Sequence, residues 1–178
     1  MNKPRAKKCD ICKRSIENRR NSLQVVCSMA CALEFNKRRE AKKQREQTKK
    51  DKDELLTHSE WLKILQKVFN RFIRERDKHK GCISCGRALD KKFDAGHFFS
   101  VGSSPELRFH EDNVHGQCVA CNQHAHGNLI EYTLRLPDRI GQARFDELHR
   151  LKGKSLKLSI PEIQELIKAY KLKVKPYI

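Results

Sequence analysis

Apolar residues recur at helical spacing in one long stretch of the chain. Trp61, Leu62, Leu65, Val68, Phe69, Phe72 and Ile73 fall three and four positions apart, which predicts an amphipathic helix with one buried face. Thr57-His58-Ser59-Glu60 fits a capping box at its start. Lys80-Gly81 supplies a stop. Arg71, Arg74, Arg76 and Lys78 fall on the other side, where they could meet phosphate. Two shorter helices follow. One covers about 140–151, with Phe145, Leu148 and Leu151 on a face. The other starts behind Ser159-Ile160-Pro161-Glu162 and runs through Ile163, Leu166, Ile167 and Tyr170. The basic end, Lys171 to Ile178, reads as loose.

Other stretches have no such pattern. Residues 36–56 are rich in Lys, Arg, Glu and Gln and nearly devoid of apolar side chains. They have helix propensity and no face to bury. This segment is either a solvated helical linker or an arm that tracks DNA, with Lys37, Arg38, Arg39, Lys42 and Lys43 as candidate phosphate contacts. In residues 1–35 a basic lead, a polar Arg- and Asn-rich turn and a strand-like run of Leu23, Val25 and Val26 precede Ser28, a candidate N-cap. No run approaches the ~18 apolar residues of a membrane span, and no apolar core follows the basic start as a secretory signal would require.

Charge sharpens this picture. The 178 residues carry 39 Lys and Arg against 22 Asp and Glu, a net of +17. Residues 1–50 alone hold 16 basic and 5 acidic side chains, a net of +11. Such an excess points to a polyanionic partner, most simply nucleic acid. A solubilising basic tail is the bland alternative. A membrane surface is not expected, because no basic amphipathic helix is present to insert.

The eight cysteines fall in four local pairs: Cys9/Cys12, Cys27/Cys31, Cys82/Cys85 and Cys118/Cys121. Disulfide scaffolds do not pair cysteines so uniformly close in sequence. Four thiolates around a tetrahedral Zn²⁺ do, each knuckle giving two sulfurs at about 2.3 Å. With no export signal a reducing compartment, the cytoplasm, is expected. Two structural four-cysteine zinc sites follow, one within residues 1–35 and one spanning Cys82 to Cys121. A finger of about thirty residues needs such a metal to fold.

Thirty-two residues separate the knuckles of the second site. They hold Phe93-Asp94-Ala95-Gly96-His97-Phe98-Phe99, a Gly/Ser loop, and Leu107 through Gln117. Asn122-Gln123-His124-Ala125-His126-Gly127-Asn128 follows the last cysteine. The order expected is strand, loop, strand, helix. Phosphodiester hydrolysis needs a base near water, a divalent metal and neutralisation of the leaving oxygen. His97, at a strand end, can be the base. Asn122 offers a hard amide oxygen for Mg²⁺ or Mn²⁺. His126, four residues on, would share its helix face as a further ligand. Asp94 is the nearest carboxylate to His97, but its odd offset requires a bulge at Ala95-Gly96 to bring both to one face. Asn113 could tie the loop to the backbone beside His97. Arg108 is either a phosphate contact or a solvent-facing strand residue. His110, His115 and His124 read as structural residues or phosphate contacts rather than catalytic groups.

These motifs resemble the HNH, or ββα-metal, nuclease superfamily in its form supported by a four-cysteine zinc site, of which endonuclease VII is a member. More closely, Cys82-Ile83-Ser84-Cys85-Gly86, Asp94-Ala95-Gly96-His97, Leu107-Arg108-Phe109, Gln117-Cys118-Val119-Ala120-Cys121-Asn122-Gln123-His124 and Gly127-Asn128-Leu129 resemble the NinG (Rap) recombination proteins of lambdoid phages. The likeness extends to Phe72-Ile73-Arg74-Glu75-Arg76-Asp77 and Arg139-Ile140-Gly141. It implies an α+β fold with a treble-clef-like ββα core, flanking helices and an N-terminal zinc finger. It implies a structure-selective endonuclease acting on Holliday junctions or D-loops in the host-cell cytoplasm. By it His97 corresponds to the general base, Asn122 to a metal-binding Asn and Asn113 to the middle Asn. Where many members place a metal-binding acid or His before the base, this chain has Gly96, which leaves Asp94 as substitute. A resolvase that makes paired nicks is expected to dimerise, with the Trp61–Ile73 helix and the C-terminal helices as candidate surfaces.

The domains expected are a finger over 1–35, a basic linker over 36–56 and a nuclease domain over 57–178, itself a helix (57–80), a zinc-pinned core (81–136) and C-terminal helices (137–178). A non-catalytic zinc protein binding DNA, or one binding RNA, remains open from residues alone. The combination of Asp94, His97 and Asn122 distinguishes the enzyme, since a binding module needs no such set.

Overall fold

The computed structural model describes residues 7–17, 21–154 and 157–177. The Arg- and Asn-rich turn around 18–20 therefore lies outside the described residues, as does Ile178. The chain forms two compact units, Met1–Leu56 and Thr57–Ile178. It is α+β, mostly helical with one small sheet.

The first unit has little to bury. Its buried side chains among the described residues are Cys9 and Ile16. A knuckle closes at Cys9–Cys12, where Cys9 N–H donates to Arg14 O and Lys13 N–H to Cys9 O. Leu23, Val25 and Val26 form no strand; Val25 contributes its carbonyl to Asp10 N–H instead. Leu23 is largely exposed, while Val25 and Val26 are half-buried. Helix α1 (Met29–Glu54) starts at Ser28, whose Oγ accepts from Cys31 N–H. It runs unbroken through the 35/36 boundary that composition suggests, so finger helix and basic segment are one 26-residue rod. No residue of it is buried.

The second unit is built on α2 (His58–Asp77). Thr57 and Glu60 cap it reciprocally, worth about 1 kcal/mol. It ends at Asp77, a turn before Gly81, because the Asp77 side chain is drawn into the sheet (below). Its stripe of Trp61, Leu65, Phe69, Phe72 and Ile73 is buried against α5 (Ile160–Val174), which presents Ile163, Ile167, Tyr170 and Val174. Each such side chain contributes about 1.5–3 kcal/mol. The Tyr170 ring meets Phe69 edge-on, with centroids 4.9 Å apart. This packing buries the apolar stripe of the helix named above as a candidate dimer surface. The C-terminal end is anchored too: Val174 is buried, and Tyr177 meets the Phe72 ring edge-on and accepts from Lys78 Nζ through its carbonyl.

The sheet has two antiparallel strands, β1 (Phe93–His97) and β2 (Val114–Cys118). Asp94 pairs with Gln117, Ala95 with Gly116 and Gly96 with His115, an unbroken register. The bulge expected at Ala95-Gly96 is absent. A π-helical turn, Ala120–His124, follows β2. Helix α3 (Leu129–Ile140) then buries Tyr132, Leu136 and Ile140. No helix is expected there above, although Tyr132, Leu136 and Ile140 fall four residues apart; Pro137, in its last turn, is a residue that ordinarily breaks helices. Gly141, at φ 86°, breaks the chain from α4 (Gln142–Leu151). These helices enclose a core of Ile83, Phe98, Leu107, Tyr132, Leu136, Ile140 and Leu148.

Candidate active site

Each compact unit holds one cysteine cluster. In each, Cys9/Cys12/Cys27/Cys31 and Cys82/Cys85/Cys118/Cys121, the four sulfurs lie within 4.8 Å of one another. Tetrahedral Zn–S bonds of about 2.3 Å set sulfurs roughly 3.8 Å apart. Cys12–Cys27 at 3.4 Å, Cys27–Cys31 at 3.7 Å and Cys85–Cys118 at 3.9 Å bracket that value. Both clusters could hold zinc. Packing splits the thiols: the Cys12 N–H holds Cys9 down to about 6, while the Cys12 thiol pushes Cys27 up to about 12. Burial pushes Cys121 up to about 12. A dication among the sulfurs favours all four thiolates together. Around the second cluster, Cys118 N–H donates to Cys82 Sγ and Asn128 Nδ2 to Cys121 Sγ.

This cluster ties the Cys82 knuckle to the end of β2 and the π turn. Beside it, a cavity of about 440 Å³ is lined by Ala95, His97, Ser100, Asn122, His126 and Leu129 among others. His97 and Asn122 thus share one cavity. The His97 Nε2 is 3.0 Å from Arg108 O. A carbonyl only accepts, so Nε2 carries the proton and Nδ1 is the basic nitrogen. Burial, the dominant influence, holds the imidazole below its usual range, so it is neutral at pH 7.

Asn122 Nδ2 donates to Asp94 Oδ2 at 3.0 Å, and Gln123 Nε2 to the same oxygen at 2.8 Å. Asp94 therefore reaches Asn122 without the bulge. It is not among the residues lining the cavity. His126 does line it, though not for the reason the spacing suggests. The π turn ends at His124, and His126 has a left-handed backbone (φ 47°) beyond it. The shared helix face does not exist. Asn113 is wholly buried. Its Oδ1 accepts from Phe99 N–H, and its Nδ2 donates to Phe99 O and Leu107 O. It clamps the loop between the strands and is not among the residues lining this cavity.

Of the candidate phosphate contacts, Lys37, Arg38, Arg39, Lys42 and Lys43 are exposed on α1, with Arg38 paired to Glu34 and Lys42 near Glu46. Arg71 is exposed and Arg74 half-buried. Arg108 does not sit on a strand; it follows a 3-10 turn, donates from Nε to Gln66 Oε1 and lies over Phe109. Arg76 is no phosphate contact. It donates to Asp77, Glu111 O and Val114 O. Asp77 is fully buried and accepts from Gly116 N–H. Burial pushes its carboxyl up, but contacts from His115, Arg76 and Gly116 outweigh this and hold it far below the usual carboxylate range. This network joins α2 to β2.

Gln117 is a residue of this region that sequence reasoning does not find. It is wholly buried on β2, with Nε2 donating to Ser84 Oγ and Gly127 O. The sequence carries no signal for it beyond its place before Cys118.

Comparison with known proteins adds the following. The family described as "Bacteriophage Lambda NinG protein" matches residues 1–177. The protein ninG of Escherichia phage lambda is 42% identical over 121 residues, 68% of this chain and 59% of that protein. The ninG of Escherichia phage 933W is 37% identical over 165 residues, 83% of this chain and 82% of its own length. That of Salmonella phage P22 is 43% identical over 120 residues, 64% of this chain and 59% of that protein. The chain thus spans less than two thirds of the lambda and P22 relatives it matches. No solved structure matches.

Proposed function

The chain belongs to the NinG family of bacteriophage proteins, and from that premise we propose that it is a divalent-metal-dependent endonuclease of the ββα-metal type, cutting branched DNA such as Holliday junctions or D-loops. The observation that carries this reading is the cavity that His97 and Asn122 share beside a cysteine cluster. The order strand, strand, helical turn around that cavity supports it, as does the likeness to the zinc-supported nucleases.

His97 has the attributes of a general base. Its Nε2–H is held by Arg108 O, which fixes the tautomer and ring. Its Nδ1 is left to take a proton from water, and burial keeps it neutral at pH 7. Asn122 is oriented by Asp94 so that Oδ1 faces Gly96. That oxygen, with Asp94 adding negative charge behind it, suits a hard cation such as Mg²⁺ or Mn²⁺. When bound, such a cation supplies charge stabilisation for the scissile phosphate and the leaving 3′ oxygen. Asn113 holds the loop that carries Arg108 and thereby the His97 partner. Zinc at the two four-cysteine clusters has a structural role in this reading, because all four positions of each are thiols. The basic face of α1 would hold phosphate, and two copies would make paired nicks.

A second reading, a zinc-stabilised protein that binds DNA or RNA without cutting, is favoured by Gly96, which has no side chain to ligate a metal. One assay separates them. The full chain is incubated with a four-way DNA junction and Mg²⁺ or Mn²⁺, beside His97→Ala. Nicking that falls about 10²–10⁴-fold in the variant, with junction binding retained, is expected. Binding without nicking under every metal would sink the enzyme reading.

A further inference from the structure

We propose that Gln117 Oε1, which lies behind the cavity wall that Asn122 lines and is not itself part of the lining, is a ligand together with Asn122 Oδ1 for a divalent cation between them, standing where the side chain missing at Gly96 would reach. The inference rests on the metal-dependent reading above and deepens it.

The two ends of the Gln117 amide are distinguishable. Ser84 Oγ gives its proton to Gly127 O, so it accepts from Gln117 Nε2. Nε2 also donates to Gly127 O. Oε1 therefore points the other way. It is buried and has no hydrogen-bond partner among the described residues. Buried carbonyl oxygens are almost always paired, and one that is not calls for a further partner.

Its surroundings name that partner. A methyl group placed on Gly96 would lie 2.0 Å from Gln117 Oε1 and 3.1 Å from Asn122 Oδ1. Both amide oxygens converge on the same spot beside the Gly96 Cα. They are no more than about 5 Å apart, and small movements bring them to the 2.0–2.6 Å that hard cations require. Asn122 cannot turn its nitrogen there without losing Asp94. Gly96 is thus the close approach that lets Gln117 in; any Cβ would displace its oxygen. Two neutral oxygens make a weak site alone. The Asp94 carboxylate behind Asn122 adds charge, and a DNA phosphate would complete the shell. The contrasting role for Gln117 is a clamp acting through Nε2 alone.

The test uses the full zinc-loaded chain. In a Mg²⁺ titration of ¹³C-labelled wild type, the side-chain carbonyl carbons of Gln117 and Asn122 are expected to shift together with one saturation curve. Gln117→Met keeps length and removes the oxygen. Mn²⁺ binding to it, followed by electron paramagnetic resonance, should weaken about tenfold or more with zinc content unchanged. An Asn122 shift without Gln117, or a zinc-replete Met variant that binds Mn²⁺ like wild type, overturns the Gln117 assignment and leaves the cavity reading standing. If neither carbon moves and no protein-bound Mn²⁺ forms even with a four-way junction bound, the metal-dependent reading fails and takes this inference with it. If Gln117→Met loses zinc, the wild-type carbon shifts decide.

Discussion

His97 and two other imidazoles share one electrostatic situation. Burial holds His97, His110 and His115 below the usual range. In the unfolded chain they titrate near ~6.5. As pH falls through that value the unfolded state takes up protons that the folded state still refuses. Their contribution to stability is full above ~6.5 and is lost progressively below it. Asp77, held low, acts in the same direction at more acidic pH. The urea midpoint should therefore drop between pH 7.5 and 5.5; a flat profile would show that these imidazoles are not buried neutral. Nicking should lose rate on the acid side at a pH below ~6.5, where His97 gains its proton. Gly96 is the other decisive residue. Gly96→Ala should destabilise the second unit by about 1–3 kcal/mol, because its methyl meets Gln117 Oε1, and denaturant unfolding reads this directly.

Elements in the second unit are held by buried polar pairs as much as by apolar faces. Asp77 on α2 binds Arg76 and the Gly116 N–H on β2. Asp77→Ala leaves Arg76, itself largely buried, without its partner and should cost about 3–5 kcal/mol in denaturant unfolding. The π turn after β2 depends on the cluster that precedes it, since Cys121 N–H points at Cys118 Sγ. Cys121→Ser should lose one zinc per chain and the protection of β2 amides, while leaving the first unit's zinc in place; metal analysis with hydrogen exchange would check both. The stripe of α2 and α5 is fully engaged within the chain. If two copies associate, they must use other surfaces. The exposed Leu129, Ile130 and Leu134 lie on α3.

For the whole molecule, charge and chemistry are separate in sequence and fall in separate units. The first 50 residues carry +11 of the +17, and α1 exposes its lysines and arginines without burying anything. The cavity lies in the second unit. Deleting residues 1–56 should therefore weaken junction affinity and flatten its dependence on salt by about 0.9 in log–log slope per lost phosphate contact, while a chain of 57–178 retains nicking. Equal affinity at every salt concentration would make the basic rod a solvated tail. No helix among the described residues is long and apolar enough to cross a membrane.

Some of this was settled by local chemistry and so was open to the sequence. Four cysteine pairs at knuckle spacing present their sulfurs two by two, because the chain itself sets the closeness within each pair; which pair meets which, as Cys85 meets Cys118, is tertiary. The caps at Thr57 and Ser159 and the apolar stripe of α2 follow from three- and four-residue spacing. Other features depend on residues far apart in sequence meeting in space. The register of two short strands puts Gln117 opposite Asp94 and its oxygen against Gly96. The π turn, which no propensity encodes, removes His126 from the face of Asn122 yet leaves it in the same cavity. The α2 stripe was legible as a buried face, but that its cover is a helix nearly a hundred residues later was not. Spacing determined the cysteine knuckles and helix faces; only tertiary packing decided which polar atoms were left without partners and what they were aimed at.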